Sequence, residues 1–195
     1  ADLTTDAHLV SSNPAVASIS PDGYVTATGN GEAEISGQVN GQNVSAKVRV
    51  SGADRPFTYS FRNHVEPLLF KMGCNTGPCH GSQLGKAGFK LSLRGFDTAW
   101  DHAVLTRQAN ARRVSLAQPD DSLMLLKPTM AVPHEGGERF TKDSEAYMIV
   151  LSWIQAGAPP ARDDDPVVDR IEVLPKALTL QPGAEQRLVV RAHYN

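Results

Sequence analysis

Cysteine is nearly absent from this sequence: 195 residues contain only two, Cys74 and Cys79. A fold stapled by several disulfides is thereby excluded, and whatever cysteine chemistry the chain performs is concentrated at one place. A surplus of charge is missing too. With 19 basic against 21 acidic residues, the chain lacks the electrostatic footprint of a nucleic-acid or anionic-membrane binder, and no nucleic-acid partner is expected. No apolar run approaches the roughly 20 residues that span a bilayer. The opening Ala1-Asp2-Leu3-Thr4-Thr5 lacks the charged and apolar regions of a signal peptide, so the chain reads as a mature or excised soluble segment without a membrane span. Hydrolase signatures such as G-x-S-x-G and H-E-x-x-H do not occur, and Gly85-Lys86-Ala87-Gly88 is too short for a phosphate loop.

What is present divides into three segments. Residues 1–50 alternate apolar and polar positions between turn signals, as in Val25-Thr26-Ala27, Ala33-Glu34-Ile35 and Val44-Ser45-Ala46-Lys47-Val48. Asn40-Gly41 between two such runs predicts a type I′ hairpin. Residues 51–165 change to short helical patterns separated by glycine-rich and proline-rich loops. Phe61, Val65, Leu68, Leu69 and Met72 recur at helical spacing, with Pro67 expected at a kink or in a first turn. Phe89 to Leu93 alternates like a strand. Asp120 and Asp121 are expected to cap a helix over 122–127, and Asp143 or Ser144 a helix carrying Tyr147, Val150, Leu151 and Ile154 on one stripe. Strand rhythm returns in residues 166–195, in Ile171-Glu172-Val173 and Leu188-Val189-Val190.

Chemistry concentrates in Cys74-Asn75-Thr76-Gly77-Pro78-Cys79-His80. Two thiols here can add to the two vinyl groups of a haem while the adjacent imidazole reaches the iron. The usual spacing is C-x-x-C-H; four residues between the cysteines require a bulge, for which Gly77-Pro78 supplies a turn. A disulfide in an exported protein and a Cys2His2 zinc site with a distant fourth ligand use the same residues and stay open on the motif alone.

Phe61 through Val65-Glu66-Pro67-Leu68-Leu69, Gly73 through Gly81, Gly88-Phe89-Lys90-Leu91-Ser92-Leu93-Arg94-Gly95, Pro133-His134-Glu135-Gly136-Gly137, and Trp153-Ile154 with Gly157-Ala158-Pro159 together resemble the planctomycete-type cytochrome c domains. Segment 1–50, through Ser11-Ser12-Asn13-Pro14-Ala15-Val16 and Gly23-Tyr24-Val25, resembles the second half of group 2 bacterial immunoglobulin-like modules; segment 166–195, through Ile171-Glu172-Val173-Leu174-Pro175, resembles the first half. The resemblance implies one covalent haem c, an extracytoplasmic location (periplasmic or cell surface) and one-electron transfer to a redox partner protein, not enzymatic catalysis. The expected fold class is mixed: a mainly α cytochrome c-like haem domain plus an all-β immunoglobulin-like sandwich. The two terminal segments would build that sandwich, within one chain or as a strand-swapped homodimer.

A six-coordinate haem needs a second axial ligand. His134 is the expected one, because Gly136 and Gly137 let backbone approach the ring closely. Met130, in the loop after Pro128, is the runner-up. Met124 and Met148 read as core, His64 and His102 as solvated helix positions, and His8 and His193 as parts of the strand-rich ends. Arg94, Arg113 and Arg139 are candidates for the propionates, none of them singled out. Two other functions use the same residues: a haem sensor or enzyme with an open iron position, and a structural or adhesive module with a Cys74–Cys79 disulfide.

Overall fold

The computed structural model describes residues 3–4, 6–55 and 57–195. Two compact units form: Ala1–Phe57 with Asp169–His193, and Thr58–Val168 with Tyr194–Asn195. In the first, β1 (His8–Ser11), β4 (Gly31–Val39) and β5 (Gln42–Val50) make one antiparallel sheet in the order β1-β4-β5, while β2 (Ala17–Ile19) and β3 (Val25–Ala27) pair separately. The β4–β5 hairpin turns at Asn40 (φ 51) and Gly41 (φ 77), which pair Val39 with Gln42. Both residues therefore take the positive φ that a type I′ turn demands. Along β4 the burial alternates, and Ala33 joins Val16 and Ala17 in a small core against which Val48 and Val50 pack.

The expected sandwich is not what forms. Among the described residues the strands fall into three separate sheets, and β6 (Val168–Leu174) pairs only with β7 (Val189–Tyr194). The backbone groups that would have joined the N-terminal strands are taken up locally, and neither strand has the alternating buried face a sandwich layer requires. The mainly α haem domain is likewise overturned: the chain is about 21% helix and 23% strand. Its α-helices are short, α1 (Glu66–Lys71), α2 (Thr98–Thr106), α3 (Leu123–Leu126) and α4 (Glu145–Gln155). Proline and glycine punctuate the segment too often for longer ones.

Local chemistry accounts for these elements. A π-turn over Phe61–Val65 leads into α1, where Pro67 occupies the first turn and needs no amide donor. The expected strand at 89–93 is absent, because Arg94 (φ 61) and Gly95 (φ 76) turn the chain immediately after it. Ser122 rather than an aspartate precedes α3; Asp120 instead accepts a hydrogen bond of 2.9 Å from the Tyr147 hydroxyl. Helix α4 starts where Ser144 Oγ accepts from the Tyr147 amide, and its buried stripe is the expected one. Ser144→Ala removes this cap and should lower stability by about 1 kcal/mol, read as a fall in the urea midpoint with unchanged slope; an unaltered midpoint would sink the capping assignment.

Trp153 is fully buried at the centre of the second unit, 5.3 Å from Phe61 and 6.1 Å from His102 between ring centroids. Its indole donates to Pro159 O, and His102 Nε2 lies 2.9 Å from Ala158 O. His102 is thus a core histidine, 6% exposed, and not a solvated one. The stretch after Gly157 supplies the acceptors that make this burial affordable. Met124 is core as expected, but Met148, 49% exposed, is not.

Candidate functional site

Helix α1 ends at Gly73 (φ 76), and the Cys74 amide donates back to Leu69 O at 2.8 Å, so the first cysteine is fixed by the helix end itself. The four residues between the cysteines then wind into a closed turn. Thr76 O accepts from both the Cys79 and Gly81 amides, and the His80 amide donates to Cys74 O at 2.9 Å. The winding is tight enough that a Cβ on Gly81 would lie 2.1 Å from Asn75 O, which only glycine avoids. The four residues between the cysteines are accommodated in this turn. Both thiols are free and half-buried. Burial pushes the Cys74 thiol up to about 11, against the opposing influence of the Arg139 guanidinium.

Cys74, Cys79 and His80 line a cavity of about 710 Å³ in the second unit, and His134 lines it too. A site of this size is in the range of cofactor pockets. Its apolar wall includes Leu68, Leu69, Leu91, Leu105 and Val150. The two imidazoles have centroids 6.5 Å apart and planes within 13° of parallel. Each is oriented in the same way: His80 Nδ1 lies 3.1 Å from Phe89 O and His134 Nδ1 lies 2.9 Å from Gly137 O. A carbonyl only accepts, so Nδ1 carries a proton in both rings, and in the neutral imidazole the lone pair then lies on Nε2. Burial, which outweighs the hydrogen bond to Phe89, holds His80 below the ordinary histidine range and favours this neutral form.

The donor set can be tested against a metal between the rings. Two rings bound end-on by metal–imidazole bonds of roughly 2.0–2.1 Å would have centroids roughly 6.4 Å apart, against 6.5 Å between these two stacked rings. Among the described residues no three His, Cys, Asp or Glu side chains come together as a metal cage. The described residues form no metal cage of their own, and a cofactor bringing donors of its own would ask fewer of the chain.

Surrounding groups fix the two rings. The Phe89 ring packs on His80 with centroids 4.2 Å apart, and the Arg113 guanidinium sits 4.4 Å above the Phe89 ring. A Cβ on Gly136 would come within 2.8 Å of the His134 ring, so the loop packs its own glycine against that imidazole. Arg139 Nη2 lies 3.6 Å from Cys79 Sγ. Of the other expected candidates, Met124 lines the cavity, while Met130, 46% exposed, does not. Arg94 lies outside the cavity and Arg113 and Arg139 line it.

Sequence reasoning missed Arg112, also on the cavity wall, and the backbone leading to it. Ala109 (φ 51), Asn110 (φ 55) and Ala111 (φ 56) are three successive left-handed residues, at a cost of roughly 1–2 kcal/mol for each alanine. Asn110, which tolerates this conformation, was the one available signal. Compared with protein-family models, with curated proteins and with solved structures, the chain matches none.

Proposed function

We propose that the second unit binds one haem c, joined covalently through Cys74 and Cys79 and ligated axially by His80 and His134, and that the protein transfers single electrons outside the cytoplasm to a redox partner protein. The observation that carries this reading is the pair of near-parallel imidazoles in one cavity with two free thiols, each ring held at Nδ1, which leaves Nε2 as the atom that could ligate. The resemblance of the C-x4-C-H segment and its neighbours to planctomycete-type cytochrome c domains points the same way. Bound haem supplies a one-electron iron couple whose potential responds to axial ligation and burial. The chain's own contribution is to orient both imidazoles, to present two free thiols on the cavity wall, and to keep water from the macrocycle with Leu68, Leu69, Leu91 and Val150.

Visible spectra of oxidised and reduced protein, made in a host with working cytochrome c maturation, test the reading together with a haem stain after denaturing electrophoresis. A stained band and a low-spin spectrum are expected; a colourless protein would overturn it. His134→Ala should abolish the low-spin spectrum while Met130→Ala leaves it unchanged. The reverse result would move the sixth ligand to Met130, and carbon monoxide binding by the native ferrous protein would mean an open iron position.

A further inference from the structure

A haem brings two carboxylates with it, on the edge of the macrocycle opposite its vinyl groups, so its cavity has to satisfy anionic groups away from the cysteines. Five basic side chains line the cavity: Lys86, Arg112, Arg113, Lys127 and Arg139. Four are already engaged. Lys86 pairs with Glu135 at 3.1 Å, and Lys127 Nζ donates to Pro133 O at 2.7 Å. Arg113 donates to Val104 O, Gln108 O and Gly88 O, and Arg139 lies against Cys79 Sγ at the thiol edge. Arg112 is exposed and makes no side-chain hydrogen bond or ion pair with the described residues.

The backbone delivers Arg112 to this place at a conformational cost. The left-handed turn 109–111 runs directly into it and is closed by Arg112 N to Ala109 O and Val114 N to Ala111 O, both 3.3 Å. Left-handed residues ordinarily occur singly and as glycine; a run containing two alanines persists only where its surroundings hold it. The anchor is the next residue, Arg113, bound to three carbonyls and stacked over Phe89. Arg113 is therefore a fixed structural cation, and the turn before it leaves its neighbour's planar fork free at the cavity wall.

We propose that Arg112 is the carboxylate clamp of this cavity, taking a haem propionate through its guanidinium. This rests on the haem reading above and names the residue that recognises the cofactor's acidic edge. The test uses full-length protein carrying Cys74→Ala and Cys79→Ala, so that affinity is measurable, titrated with haemin and with haemin dimethyl ester, with and without Arg112→Gln. The substitution should weaken haemin binding roughly tenfold or more, the loss expected for a hydrogen bond to a charged group, and should change dimethyl ester binding less than twofold. Arg94→Gln, outside the cavity, should alter neither. An unchanged haemin affinity overturns the clamp, as does an equal loss for both ligands. Failure of the Arg112 protein to bind either ligand overturns the haem reading and the clamp with it.

Discussion

Protein in which both Cys74 and Cys79 are replaced by alanine should lose all haem stain on a denaturing gel, while either single replacement should keep a stained band through the remaining thiol. The expectation follows from how the two sulfurs are held. Cys74 is tied to the end of α1 by its amide hydrogen bond to Leu69 O, and Cys79 follows a turn closed on Thr76 O, so both are delivered to the cavity wall by backbone geometry rather than by each other. They form no disulfide, and substituting one leaves the hydrogen bonds that position the other. Because alanine retains the Cβ and the apolar character of a half-buried site, the double variant should fold, with a denaturation midpoint close to that of the parent. A double variant that still stains would place the covalent bond elsewhere in the chain. A double variant that unfolds at low denaturant would make the cysteines structural instead.

Where local interactions decide, the sequence was readable. Asn40-Gly41 needs nothing beyond its own φ preferences to form the hairpin, and the Ser144 cap with the 147, 150, 151, 154 stripe defines α4 within eleven residues. Pro67 announced a break that became the π-turn and start of α1.

Non-local competition was not readable. Alternation in 166–195 and in 1–50 says that strands form but not with which neighbour, and β6 satisfies its hydrogen bonds on β7. His102 has a polar residue's sequence profile; its burial depends on Ala158 O, 56 positions away, and on the Phe61 and Trp153 rings. The same holds for the basic residues of the cavity. Arg112 and Arg113 are adjacent and chemically identical, and what separates their roles is that three backbone carbonyls surround one of them and none the other.

A second large effect is expected at Glu66, on α1, where stability should fall as pH rises. The side chain is 7% exposed; one carboxyl oxygen accepts from the Thr98 hydroxyl at 2.7 Å and the other has no partner among the described residues. Burial raises this carboxyl from 4.5 to about 7, with the nearby Asp101 and Asp97 pushing in the same direction and the Thr98 hydrogen bond and Arg62 opposing. Between those values the folded chain holds a proton that the unfolded chain has released. The contribution is therefore fully present below about pH 4.5 and is lost as pH rises through 7. At roughly 1.4 kcal/mol per pH unit the loss amounts to about 3 kcal/mol. Glu66→Gln keeps the shape and an acceptor for Thr98 but cannot ionise, so it should stabilise the protein by up to about 3 kcal/mol at pH 8 and by little at pH 4. Urea denaturation at both pH values measures this directly. Asp101, fully buried and also raised by burial, is present in both proteins, and Glu66→Gln relieves its repulsion of the Glu66 carboxylate as part of the same gain. If Glu66→Gln instead destabilises at pH 8, the carboxylate is ionised and paired in the folded state, and Arg62, one helical turn earlier, is the cation that holds it.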